Sequence, residues 1–345
     1  MNRTTQRLAS PPPATARRPP NPINEASVTS RAHTALRQAA AAAGFSLEGA
    51  RTLQLHRNWV VRLPHATPGR PVVAKVHEPR SIPAAVHREV QVAAWLHRSG
   101  VLTARPVVER PTATEAGLLV TFTEDLGDGS PASSEGLGRL LAELHALPLP
   151  SHIALPALDV TGTLLSRISR LPERVLAPAD VHWLSIHVSA AGEQWKNTPC
   201  GGDVVLHGDL NVLNSITTPN GPALIDFETV TRGPAAYDLA FEAWRRDGFG
   251  EDPAGYARFC HAYGTDVTTG RQGAPYKVLA RLRAAAGTVI ALEAAVHDPV
   301  WRPEAARRLS CVRTQSSNPA RHPWNWSTDP TVPAAEAAST RARTA

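Results

Sequence analysis

Apolar residues in the first third of the chain fall in short runs and alternations, whereas in the last third they recur every three or four positions. Such a switch predicts a sheet followed by a helical body. Residues 53–63 (LQLHRNWVVRL) read as a hairpin, and residues 71–76 (PVVAKV) as a β-branched strand interrupted by one cation, Lys75. Residues 83–98 then read as a helix, because Val86, Glu89, Val90, Ala93 and Leu96 fall on one face. An unpaired carboxylate on an apolar stripe is costly, so Glu89 needs a partner, and Lys75 is the nearest candidate. Residues 117–122 (GLLVTF) form a further strand that runs into TEDLG. Helices are expected near 158–170 and 179–190, and again at 236–246, 253–263 and 276–297. In the last of these, Leu279, Leu282, Ala286, Val289 and Ile290 form the stripe. Between the two helical groups, Val204-Val205-Leu206 and Ala223-Leu224-Ile225 are short apolar strands. The turn Asn220-Gly221-Pro222 is expected to join them as one hairpin.

Each of those two strands delivers an acid. HGDLNVLN spans His207 to Asn214, and IDFE ends at Glu228, so Asn214 lies five positions and Asp226 seventeen positions after Asp209. A carboxylate free to take a hydroxyl proton, followed by an amide and a second carboxylate able to hold magnesium, is the constellation that phosphoryl transfer requires. Protein kinases use the same logic, with a catalytic-loop Asp, an Asn five positions on, and an Asp after the next strand. Lys75 and Glu89 match the strand lysine and helix glutamate of that pattern. His207 reads as a loop-packing residue bonded to backbone, and His145 as a satisfied core histidine.

With those residues in place, the chain resembles the aminoglycoside phosphotransferase and choline kinase-like family, small-molecule kinases with a protein-kinase-like fold. The resemblance runs from Leu53 to about His297. It is carried by Lys75, Glu89, the segment 140–147 (LLAELHAL), HGDLNVLN, IDFE and the segment 233–240 (GPAAYDLA). It implies an α+β, two-lobed fold, with a small N-lobe of antiparallel sheet plus one helix and a mostly α-helical C-lobe. It also implies Asp209 as catalytic base, Asn214 and Asp226 as magnesium ligands, and Lys75 on the nucleotide phosphates. Asp238 would support the catalytic loop, and Glu228 would face the acceptor site. The strand that ends near Thr121 and Thr123 would meet the adenine edge through its backbone. Residues 53–63 hold no glycine, a departure from the usual phosphate loop, and Asn58 is expected to make the tight turn there in left-handed geometry.

The activity so implied is transfer of the γ-phosphoryl group of ATP or GTP, with Mg2+, to a hydroxyl of a small molecule such as an aminoglycoside-like antibiotic. A catalytically silent nucleotide-binding protein and a choline-type metabolic kinase are the alternatives. The domain reading is a Pro/Arg-rich disordered tail at 1–23, an N-lobe at 24–125, a C-lobe at 126–317 and a second disordered tail at 318–345. Composition adds three points. The net charge of +6 would suit a nucleic-acid binder, but the basic excess sits in the two ends. Residues 203–266 instead carry ten acids against four arginines, which suggests a cationic acceptor and no nucleic acid. Cys200, Cys260 and Cys311 form no metal-ligand spacing, and no stretch is long and apolar enough for a membrane span, so a cytoplasmic protein is expected.

Overall fold

The computed structural model describes residues 30–55, 57–67, 70–270 and 273–314. The tails read at 1–23 and 318–345 lie outside them. The sheet contains β1 (Arg51–Leu55), β2 (Trp59–Thr67), β3 (Arg70–Val76), β4 (Thr112–Ala113) and β5 (Leu119–Glu124), in the order β1-β2-β3-β5-β4. All its pairings are antiparallel, and Lys75 on the central strand β3 stands opposite Val60 on one side and Thr121 on the other. Alternation along β3 is what aims the lysine: Val72, Ala74 and Val76 are buried in the sheet's own core, so Lys75 points to the other face.

Two helices flank this sheet, where the sequence reading assigns one. The first, α1 (Ser30–Ala43), buries Ala35, Leu36 and Ala39 against Trp59, Val61, Leu63 and Phe122. The second, α2 (Pro83–Arg98), starts on a proline, which suits a first turn whose N–H groups have no helical partner. Its Val92, Ala93, Trp95 and Leu96 belong to the large helical core, while Glu89 reaches back to the sheet. Arg62, buried on β2, ion-pairs with Asp125 and Asp128 and so ties the segment after β5 to the sheet.

The helical body comprises α3 (Ser134–Ala146), α4 (Val160–Ile168), α5 (Pro178–Lys196), α6 (Ala236–Phe249), α7 (Pro253–Tyr263), α8 (Gly273–His297) and α9 (Arg302–Thr314). Leu137, Leu140, Leu141 and Leu144 of α3 are buried in one core with Leu279, Leu282 and Val289 of α8. Helices α3 and α7 pack tightly enough that a Cβ on Gly138 would lie 2.5 Å from the Phe259 carbonyl oxygen. The expected stripe on α8 holds for Leu279, Leu282 and Val289, but Ile290 is exposed and Ala285 is buried instead. Trp244 and Phe249 form a small cluster with Val312 of α9, and Trp183 packs against it. No helix among the described residues is long and apolar enough to cross a membrane.

The expected hairpin between residues 204–206 and 223–225 is not formed. Strand β6 (Asp203–Leu206) pairs with β9 (Thr231–Pro234), and β8 (Gly221–Leu224) pairs with β7 (Ser215–Thr218). The reason is chain length: the stretch between the two predicted strands holds a strand of its own, Ser215-Ile216-Thr217-Thr218, which takes the Asn220-Gly221 turn. Even so, β6 leads directly to Asp209 and β8 to Asp226.

Candidate active site

Gly208 explains the middle residue of His207-Gly208-Asp209. Its φ is 86°, and a Cβ there would lie 2.3 Å from the Thr229 carbonyl oxygen, so no side chain fits. Asp238, wholly buried on α6, accepts hydrogen bonds from the backbone N–H of His207 (2.7 Å) and of Gly208 (3.0 Å). It is also 3.2 Å from Nε2 of His145, whose Nδ1 lies 2.9 Å from the Tyr263 hydroxyl. Burial would raise the Asp238 carboxyl, but His145 and the two amides outweigh it and hold the group below the usual carboxylate range. His207 is itself fully buried, with Nε2 3.1 Å from the Ile225 carbonyl oxygen.

The loop so anchored presents Asp209. Asn214 donates from Nδ2 to the Asp209 carbonyl oxygen (2.7 Å) and, more loosely, to its Oδ2 (3.3 Å). Burial pushes the Asp209 carboxyl up, against the opposing influence of His207 and Arg283. No cation is ion-paired to it among the described residues. The Ile225 N–H bonds the Asn214 carbonyl oxygen at 3.0 Å, which couples Asn214 to the strand leading to Asp226.

Asp226 is the one described non-glycine residue with positive φ, at 67°. A left-handed backbone on an L-residue costs energy and persists only where the surroundings enforce it. Lys75 on β3 meets the Asp226 side chain, with Nζ 3.0 Å from Asp226 Oδ1, 2.9 Å from Glu89 Oε1 and 2.7 Å from Glu228 Oε1. Burial would lower the lysine, but the three carboxylates hold it well above the ordinary lysine range. Asp226 is held low: burial opposes its charge and Lys75 overcomes that. Glu89, the most enclosed of the three acids, is pushed up to about 7 by burial, with Lys75 pulling the other way.

Asn58 and Glu228 depart from expectation. Asn58 is not left-handed; its side chain instead accepts the Glu78 N–H at 3.0 Å and donates to Glu228. Glu228 thus contacts both Lys75 and Asn58. Thr121 is buried with its hydroxyl 3.1 Å from Nε2 of His77, and Thr123 stands opposite Val73 in the sheet. Neither threonine side chain joins the lysine cluster. Most acids of residues 203–266 have partners, chiefly the four arginines of the same stretch. Asp203, Asp226, Glu228, Glu242, Asp247, Glu251 and Asp252 are ion-paired, and Asp266 accepts from Tyr256 and Thr268.

His77 escaped the sequence reading, although its place two residues after Lys75 puts it on the same strand face. It is 1% exposed, its Nδ1 has no hydrogen-bond partner, and Glu228 lies 3.8 Å away. Burial, reinforced by Lys75, lowers its pKa to about 3. A histidine depressed in the fold contributes stability above the ordinary histidine range and loses it as pH falls towards the folded value. Between about pH 6 and pH 4, denaturant unfolding of the wild type should therefore lose roughly 1.4 kcal/mol more per pH unit than His77→Gln, which keeps a partner for Thr121. Parallel curves would show that His77 titrates normally.

A five-stranded antiparallel sheet carrying a paired lysine, set against a helical body that carries the two acids, is the architecture of the protein-kinase-like small-molecule kinases. The family model for the phosphotransferase enzyme family matches residues 46–276, and the chain belongs to that family. It is a phosphotransferase whose acceptor is a small-molecule hydroxyl. No match is found among curated proteins. Solved structures of similar fold include an amicoumacin kinase in complex with AMP-PNP, Ca2+ and Ami, at 12% identity over 79% of this chain and 90% of that one, TM-score 0.64. A Plasmodium vivax ethanolamine kinase aligns at 16% identity over 78% of this chain and 84% of its own, TM-score 0.59. The GDP complex of an aminoglycoside 2′-phosphotransferase aligns at 15% identity over 84% of this chain and 100% of its own, TM-score 0.56. At these identities the likeness is one of fold.

Proposed function

We propose that the chain is an ATP- or GTP-dependent O-phosphotransferase that requires magnesium, with Asp209 as its catalytic base. The observation that carries this reading is the convergence of three separately delivered groups: Lys75 with Glu89, Asp226 at the end of its strand, and the Asp209–Asn214 loop anchored by Asp238. Lys75 is fully charged and would take the α- and β-phosphates, with Glu89 holding its ammonium in place. Asp209 would accept a hydrogen bond from the acceptor hydroxyl and take its proton. As that happens, the acceptor oxygen bonds the γ-phosphorus and the bond to the β-γ bridging oxygen breaks. A raised carboxyl with no ion-pair partner suits that task, because a proton can pass to it without first breaking a salt bridge.

The donor set fits magnesium. An amide oxygen at Asn214 and a carboxylate at Asp226 are hard oxygen ligands, and the Asn214 amide nitrogen is already turned to Asp209. Bound there, magnesium would neutralise charge on the β- and γ-phosphate oxygens. Asp226→Ala is accordingly expected to abolish the magnesium-dependent part of ATP or GTP affinity in titration calorimetry, with the protein still folded. Equal affinities with magnesium and with a chelator in wild type and variant alike would contradict the assignment.

An antibiotic acceptor is the first reading, since kinases of that kind stand among the neighbours of similar fold, and an amino alcohol is the second.

A further inference from the structure

Three nitrogen atoms converge on one carboxylate oxygen, Glu228 Oε1. Lys75 Nζ lies 2.7 Å from it, the Asn58 amide donates to it from Nδ2, and His77 Nδ1 stands 3.8 Å away. Sheet register explains the convergence. Val60 stands opposite Lys75 and Trp59 opposite Val76, so Asn58 and His77 extend the two strands by one residue and share the face of Lys75. Asn58 is aimed by its own oxygen: Oδ1 accepts the Glu78 N–H at 3.0 Å, which leaves Nδ2 turned to the cluster. His77 is 1% exposed, with Nε2 3.1 Å from the Thr121 hydroxyl and no hydrogen-bond partner at Nδ1. An imidazole that accepts from that hydroxyl carries its proton on Nδ1, the atom facing Glu228.

An ammonium, an amide and an imidazole turned towards one point make a cradle for an oxyanion. Glu228 fills it from within the chain, and its side chain is 27% exposed, so it has water to swing into. A glycine-rich loop would hold phosphate through backbone N–H groups, but residues 53–63 hold no glycine. Side-chain donors at the end of the same hairpin stand in the place of those groups.

We propose that Glu228 Oε1 stands in for a phosphate oxygen of the nucleotide, which displaces it and takes Asn58 Nδ2 and His77 Nδ1 as ligands beside Lys75. The proposal rests on the phosphotransferase reading and deepens it, by naming the side chains that replace the glycine loop. Glu228 is then an internal competitor: the nucleotide must break its bonds to Lys75 and Asn58 before making its own.

The test is titration calorimetry with magnesium–ATP, magnesium–GTP and, as a probe without base or sugar, magnesium tripolyphosphate. Glu228→Ala, which removes the competitor, should tighten all three about 10-fold. In that background Asn58→Ala should weaken all three about 10-fold, because the amide has then lost a phosphate partner outright. In the wild-type background the same change should cost much less, since there the amide exchanges one acceptor for another. Melting curves establish that each variant is folded, and should Asn58→Ala fail to fold, the Glu228→Ala result decides alone. Unchanged or weaker binding in Glu228→Ala would overturn the proposal while leaving the phosphotransferase reading in place. So would an equal Asn58→Ala effect in both backgrounds, or one confined to the nucleotides and absent with tripolyphosphate. Absence of magnesium-dependent nucleotide binding in the wild type would instead overturn that reading and this proposal with it.

Discussion

Asp209→Asn is expected to cut acceptor-dependent turnover by about 10²- to 10⁴-fold, the range found when a positioned general base is removed. The substitution keeps the size of the side chain and removes only its capacity to take a proton. The loop should hold its shape, because Asn214 donates chiefly to the backbone carbonyl of residue 209 and Asp238 grips the amides before it. Lys75 and Asp226 are untouched, so magnesium–nucleotide affinity should stay within about twofold of the wild type. Steady-state kinetics alongside calorimetry separates the two effects. A parallel loss of nucleotide affinity would show that Asp209 acts by holding the loop rather than by accepting a proton.

Asp238→Ala should be the most destabilising single change in the site. The carboxylate is fully buried and satisfies two backbone N–H groups and His145. Removing it strands those donors where water cannot reach them, at about 1–3 kcal/mol each, and a total of about 3–5 kcal/mol is expected. A loss of that size is a large part of a typical domain's stability, so the variant should unfold at markedly lower denaturant. Activity should fall with it even below the melting point, because the Gly208 turn that aims Asp209 loses its anchor. A denaturant midpoint close to that of the wild type would mean that the loop is held by other contacts.

The acids and the lysine were legible because phosphoryl transfer dictates residue types at fixed spacings, and because a strand's alternation and a helix's stripe decide which way Lys75 and Glu89 face. The pairing of β6 with β9 was not. Strands of four residues carry too little pattern to name a partner, and the competing strand at Ser215–Thr218 looks like a loop. Helix α1 was missed because alanines dominate its buried face, so its stripe is faint. Asn58 and Glu228 lie 170 residues apart, and no local rule links them. Arg283 is one of two arginines on α8, and only the packing of that helix against Tyr237 and Phe241 tells them apart. His77 could have been read from its spacing to Lys75, but nothing in the sequence tells that it is buried.

The most direct test of the central claim is nucleoside diphosphate release from ATP and GTP with magnesium, in the presence and absence of hydroxyl acceptors, for the wild type and Asp209→Asn side by side. Acceptor-dependent release in the wild type, lost in the variant while nucleotide binding persists, is the result predicted. Acceptor-dependent release that survives in Asp209→Asn would contradict the account.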